Sequence, residues 1–317
     1  MIKAYLRSED SFRQVSIEPD ELAGLDAGTL IWLDLLSPSP EELATVERSL
    51  KIELPTRQES EEIEFSSRFW EDETGIDINT YFLVRQDEQF HNETVSFILR
   101  GHFVVTIRFS DHRIFTEFSR KLRLSPRSFR EGADILSGIL AMRVDMDADI
   151  LEVLSREIAS LGRRDPHSFE NPTEYLSHIT DYEDINITIR ENLTDKHRVL
   201  SSLLKSPTIS ENLKKEFSMM MKDVNSLVIS ANFNFERLDY IQNLFLNHLS
   251  VEQNKVIKIF TVMSVIFLPP TMIASIYGMN YKHMPELEWV YGYPFALTII
   301  VLSAVLPLYI FKKKGWL

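Results

Sequence analysis

Hydrophobic positions divide this chain into two unequal parts. Near the C-terminus they run together: Val256–Ile276 holds 21 residues with one charge, Lys258, and Tyr293–Phe311 holds 19 with none. At 1.5 Å per residue the shorter run makes roughly 28 Å of helix, enough for a hydrocarbon core of about 30 Å. Pro269, Pro270 and Pro307 lie inside the runs, where prolines bend membrane helices more often than they break them. The competing reading is a buried hairpin of a soluble protein. Against it, an apolar run of this length without a polar stripe exceeds what a globular surface helix hides.

Upstream the pattern is that of ordinary soluble protein. Thr29–Leu35 reads as a buried strand, and Ser39-Pro40-Glu41-Glu42 as a capping box that starts a helix toward Leu50. Ile76–Val84, Glu93–Leu99 and His102–Arg108 are β-rich, the last two split at Arg100-Gly101 as a tight hairpin would be. From about Glu131 the periodicity turns helical, with breaks at Pro166, Pro172 and Ser206-Pro207. After Ser210, an N-cap, neither proline nor glycine occurs until Pro269, which predicts a helix of order 90–100 Å. So long a helix cannot bury itself against one small domain, so it implies a stalk packed against neighbours, hence an oligomer.

The expected organisation follows. Residues 1–130 form an α/β domain, 131–254 a helical and stalk region, 255–277 a first membrane helix, 278–292 a loop, 293–311 a second membrane helix and 312–317 a basic tail. The fold class is an α+β domain followed by a long helical stalk and two C-terminal transmembrane helices.

Charge refines this picture. The total is −13, while residues 255–317 carry six lysines and two glutamates, a net of +4, so residues 1–254 hold −17. So acidic a body argues against nucleic acid as a partner and against lying on anionic lipid. Lys255, Lys258 and Lys312-Lys313-Lys314 flank the spans on one side. The positive-inside rule then puts both termini in the cytosol and the loop of about 281–292 outside. The first thirty residues lack a secretory signal, so the N-terminal body is expected in the cytosol, below the cytoplasmic membrane.

Catalytic signatures are missing: no phosphate-binding loop, GxSxG or HExxH occurs, the eight histidines are scattered and there is no cysteine. An enzyme is not expected, nor a resident cofactor. Asp145, Asp147 and Asp149 begin like a calcium loop, but Ile150 and Arg156 stand where glycine and glutamate are needed; a solvated helix face is the expectation. The sequons at Asn92, Asn186 and Asn192 carry no meaning in a cytosolic domain. The acidic run Glu59–Glu64, with Glu61 and Glu62 at its centre, reads as a charged loop or helix start, or as a weak divalent-cation site completed by a neighbouring subunit.

The first span carries Asn254, Thr261, Ser264, Thr271 and Ser275 within a stripe roughly 100° wide, with Ile257 and Leu268 as apolar interruptions. Small hydroxyl residues also serve helix packing, so a helix–helix seam competes with a water-lined pore. In a pore, Ile257, Phe260 and Leu268 would form an apolar constriction that gates by dewetting. The span ends on Tyr277-Gly278-Met279-Asn280. The carbonyls of Gly278 and Met279 and the amide oxygen of Asn280 suit a cation held through its waters. Mg²⁺ wants octahedral oxygen and sheds water reluctantly, whereas zinc favours His or Cys ligands. Glu286 and Glu288 in the loop would concentrate cations without trapping them.

These residues, with Met284-Pro285-Glu286-Leu287, Gly292-Tyr293-Pro294, Phe267-Leu268-Pro269-Pro270-Thr271 and Lys312–Leu317, resemble the C-terminus of CorA-type magnesium and divalent-cation transport proteins, the family marked by the Gly-Met-Asn motif. Glu61-Glu62-Ile63-Glu64 and Phe69-Trp70-Glu71-Asp72 resemble the family's acidic segment. The resemblance implies a funnel-shaped homopentamer in the inner membrane. Its first membrane helix lines the pore, Gly-Met-Asn forms the outer selectivity ring, and Asn243 matches a further pore position. It also implies Mg²⁺ as both substrate and regulator, the regulatory ion binding between subunits at Glu62 and holding the channel closed. Asp223 is the nearest acidic candidate for the stalk partner, although Met219 falls where some members have the acid. Co²⁺ and Ni²⁺ are further candidate cargoes. The alternatives are a zinc transporter of the same superfamily and, from another class, a membrane-anchored sensor or scaffold.

Overall fold

The structure, a computed structural model, describes residues 1–8, 11–24, 28–60, 68–86, 89–164 and 172–315. It divides into two compact units, Met1–Ile241 and Gln242–Leu317.

The first unit is built on a seven-stranded sheet in the order β2-β1-β3-β7-β6-β5-β4. Its strands are β1 Ile2–Ser8, β2 Ser11–Ile17, β3 Leu30–Leu36, β4 Phe69–Glu71, β5 Ile76–Gln86, β6 Gln89–Arg100 and β7 Phe103–Arg108. Neighbours are antiparallel except β3 and β7. All seven residues of β3 but the last are buried, as are all six of β7, which is why both read as unbroken apolar runs rather than alternating ones. The β6–β7 hairpin turns at Gly101, whose φ of 54° is a left-handed conformation that glycine adopts without strain.

Helix α1, Pro40–Leu50, starts on the expected box: the Glu42 amide donates to Ser39 Oγ at 3.2 Å and the Ser39 amide to Glu42 Oε2 at 2.8 Å. A short α2, Arg57–Ser60, follows. Helix α3, Arg113–Leu124, covers the sheet with Ile114, Phe115, Phe118 and Leu122. It is a finding the strand-to-helix reading of the sequence passed over, as are the hairpin β1–β2 and the edge strand β4. Helices α4, Gly132–Leu161, and α5, Pro172–Lys205, follow, separated where the prolines predict.

Buried charge locks these layers together. Arg108, 1 % exposed, grips Asp34 through both carboxylate oxygens at 3.1 and 2.9 Å, and Thr106 Oγ1 donates to the same carboxylate at 2.8 Å. A second network corrects the sequence reading of the three aspartates. Asp145 and Asp149 are exposed, but Asp147 is 1 % exposed, bonded to Arg143 one helical turn back and 3.2 Å from the ammonium of Lys196 on α5. A buried carboxylate persists only where it is paired, and Lys196 supplies the pair from 49 residues away. The sequon asparagines are structural too: Asn192 donates to Asn92 Oδ1 at 2.8 Å, Asn92 to the Thr188 carbonyl at 3.0 Å and Asn186 to the Ala231 carbonyl at 2.9 Å.

Helix α6 runs 67 residues from Glu211 to Tyr277, about 100 Å of helix, without a break at Pro269 and Pro270. Its start is capped as expected, the Leu213 amide lying 3.5 Å from Ser210 Oγ. After a loop with a single 3₁₀ turn at Pro285–Leu287, α7 spans Gly292–Lys313. Both α6 and α7 contain a segment long and apolar enough to cross a membrane.

Candidate ion pathway

Within the second unit, α6 and α7 each show one half-covered stripe. On α6 it is Val262, Val265, Ile266, Pro269, Pro270, Ile273 and Tyr277; on α7 it includes Ala296, Ile299, Ile300, Ser303 and Pro307. The stripes share the 3- and 4-residue spacing of a helix face, so each of the two helices has one partly covered face. At 100° per residue the partly covered face of α6 is about 150° away from Asn254, Thr261, Ser264, Thr271 and Ser275, all of which are exposed. The polar stripe is therefore not part of the partly covered face of α6.

The continuity of α6 shows a stricter order than the stripe alone. Asn243, Asn247, Ser250, Asn254, Ile257, Thr261, Ser264, Leu268, Thr271, Ser275 and Gly278 follow one another at alternating steps of four and three, and all are exposed. Such a seven-residue repeat defines a seam that stays on one face of a supercoiled helix. Asn247 and Ser250 belong to it and were missed by sequence reasoning, although the repeat itself is written in the spacing. Phe260 does not belong: it is exposed but sits one step to the side, against Thr261 in sequence.

Most of the seam is neutral oxygen. Thr261, Ser264 and Thr271 donate their hydroxyl protons to the carbonyls of Ile257, Phe260 and Phe267 at 2.8, 2.9 and 2.7 Å. With the proton turned into the helix, the hydroxyl oxygen presents lone pairs outward. A cation and its waters meet acceptors there.

The seam ends where α6 ends. The Gly278 amide donates to the Ala274 carbonyl at 2.9 Å and that of Met279 to the Ile276 carbonyl at 3.3 Å, closing the last turn. A helix C-terminus carries partial negative charge, so the backbone adds its field to the exposed oxygens of Gly278, Met279 and Asn280. Glu286 and Glu288 follow in the loop, both exposed. The loop is fixed by Gly292, where a Cβ would come 2.1 Å from the Glu286 carbonyl oxygen. Trp289 packs edge-on to Phe295 and Tyr291 at 5.6 and 6.2 Å; such aromatics gather at membrane–water interfaces.

The profile of the CorA-like Mg2+ transporter protein family matches residues 27–313. The chain belongs to this family. It is 43 % identical over 293 residues to the magnesium transport protein CorA of Wolinella succinogenes, covering 91 % of each chain. With the magnesium transport protein CorA of Campylobacter jejuni it shares 38 % identity over the whole of both chains. Its fold matches the complete structure of the CorA magnesium transporter from Methanocaldococcus jannaschii, with a TM-score of 0.85, all of this chain and 99 % of that one covered, at 18 % identity. The CorA family is one of transporters, not an enzyme class.

The regulatory candidates are placed less fully. Glu61 and Glu62 lie outside the described residues. Asp223 is exposed on α6, four residues from the exposed Met219. Among the described residues no group of three or more histidine, aspartate or glutamate side chains is arranged to hold a metal.

Proposed function

We propose that this protein is a subunit of a Mg²⁺ channel that takes up the hydrated ion across the cytoplasmic membrane. The observation that carries the reading is the exposed, oxygen-lined heptad seam of α6, opposite its partly covered face and ending on Gly278-Met279-Asn280. One helix cannot enclose a path. The seam needs copies of itself around an axis, five in keeping with the family resemblance.

In that ring the Gly-Met-Asn oxygens accept hydrogen bonds from the waters of Mg²⁺ and leave its inner shell intact, because the ion sheds water reluctantly. With the loop outside and both termini in the cytosol, entry runs down the membrane potential. The potential favours a divalent ion by about 4.6 kcal/mol per 100 mV. Ile257 and Leu268 are the apolar levels at which a narrow path would dewet and close. Cytosolic Mg²⁺ bound between subunits at Glu62, with Asp223 as the stalk candidate, holds the channel shut and supplies feedback.

The test is flux. Protein in liposomes loaded with a Mg²⁺-sensitive dye is expected to admit Mg²⁺, and Asn280→Ala to abolish entry while the protein still assembles. Lack of flux in the unaltered protein sinks the channel reading. Competing Zn²⁺ and Co²⁺ in the same assay separate a magnesium channel from a zinc transporter.

A further inference from the structure

We propose that the N-terminal unit binds a small phosphate-bearing anion in an open cleft between β5, α5 and the part of α6 around Val228 and Asn232. The cleft has a volume of about 640 Å³ and three arginines, Arg68, Arg190 and Arg198, in its lining. That volume lies in the range of small-molecule sites.

Arg68 is the residue that makes it a built site. Its side chain is 5 % exposed, yet its Nη1 has no hydrogen-bond partner. The guanidinium lies 4.1 Å from the centre of the Tyr81 ring, and its Nε is 3.8 Å from Asp195 Oδ1, beyond hydrogen-bond length. Asp195 is committed elsewhere, its Oδ2 accepting from Thr80 Oγ1 at 2.7 Å and from the Tyr81 amide at 2.8 Å. A guanidinium stays charged under all ordinary conditions, and a buried donor left without an acceptor is the costly state. An incoming oxyanion would remove that cost.

The rest of the cleft fits the same ligand. Arg190, Thr194 and Arg198 stand at successive steps of four on α5, one row of the helix surface. Arg190 lies 5.7 Å from the Phe235 ring centre, with its own helix and α6 bracketing it. Guanidinium forks match phosphate oxygens two at a time. Among the described residues only Glu191 and the committed Asp195 bring negative charge to the lining. A positive cleft on a body of net charge −17 selects a small anion, because an extended polyanion such as nucleic acid meets repulsion from the surrounding surface.

The experiment is calorimetric titration of the full-length protein in detergent, with EDTA present and ionic strength held constant by chloride. The probes are inorganic phosphate, tripolyphosphate and ATP. Saturable binding of at least one probe is expected. Arg190→Ala combined with Arg198→Ala, both exposed, should weaken it tenfold or more without moving the melting temperature of the unliganded protein; Arg68→Met should remove it. ATP binding tenfold tighter than tripolyphosphate identifies a nucleotide, and equal binding identifies the phosphate chain alone. No saturable binding, or equal affinity in the double variant, overturns the proposal. Mg²⁺ flux through the α6 pathway does not depend on it, so the two readings fall separately.

Discussion

At the scale of single residues, burial changes the meaning of charged groups that look alike in sequence. His112 sits 6 % exposed beside Phe82 and Phe115, with Glu93 Oε2 3.9 Å from its Nε2. Desolvation first, then the positive charges of Arg108 and Arg143, push its pKa down to about 4; Asp111 opposes them and Lys196 adds a smaller push downward. The unfolded chain takes up the same proton near 6.5, so between those values it binds more protons than the folded state. Stability from this group is full above about pH 6.5 and is lost as pH falls toward 4, by up to roughly 3 kcal/mol. His112→Phe should flatten that part of the stability profile, read as melting temperature at pH 7 and pH 4.5; an unchanged acid slope refutes the assignment. Nothing near His112 in sequence announces this, because two of its cationic neighbours, Arg143 and Lys196, arrive from α4 and α5. Asp147 teaches the same lesson. Its partner Arg143 is visible at four residues' distance, but Lys196 is not.

At the scale of elements, local chemistry is legible and long-range coverage is not. The capping box of α1, the Gly101 hairpin and the breaks between α4, α5 and α6 stand where composition puts them, since each depends on neighbours within four residues. Helix α3 went unread because RIFTEFSRKLRL mixes four basic residues with its apolar positions; the sheet beneath it decides which face is buried. The α6 seam was legible as a stripe. Its strict heptad order, with Asn247 and Ser250 included, is also written in the spacing; the structure adds that the helix passes Pro269 and Pro270 unbroken, so the order continues to Gly278. Leu268, between Ser264 and Thr271 on that seam, is the apolar level nearest the Gly-Met-Asn end. Leu268→Ser should wet it and raise resting Mg²⁺ leak in liposomes severalfold. Met263→Ala, off the seam, should not; a like effect from both would remove the constriction from Leu268.

For the whole molecule, the division of charge carries the expectation about control. The N-terminal body at −17 favours cations over anions near its surface, whereas residues 255–317 carry a net of +4. Within one chain, the described residues supply no complete metal cluster. Under the proposed feedback the regulatory ion bridges two subunits, which would tie ion binding to assembly. Glu62→Ala is expected to weaken inhibition of uptake by millimolar internal Mg²⁺, and Asp223→Ala to do the same if it is the second ligand. Both are read from initial flux at graded internal Mg²⁺. Feedback unchanged by Glu62→Ala returns that residue to the solvated surface.

The sequence by itself determined the two spans, the Gly-Met-Asn turn, the family and the long uninterrupted helix. These rest on run length, on residue type and on spacing within a few turns, all properties of a one-dimensional string. Tertiary structure alone decided which face of α6 is partly covered and which is left open. It also decided that Asp147 is locked to Lys196, and that Arg68 is buried one acceptor short beside Arg190 and Arg198. Those outcomes depend on which distant segments meet, and a buried charge is either satisfied or stranded only once its neighbours are in place.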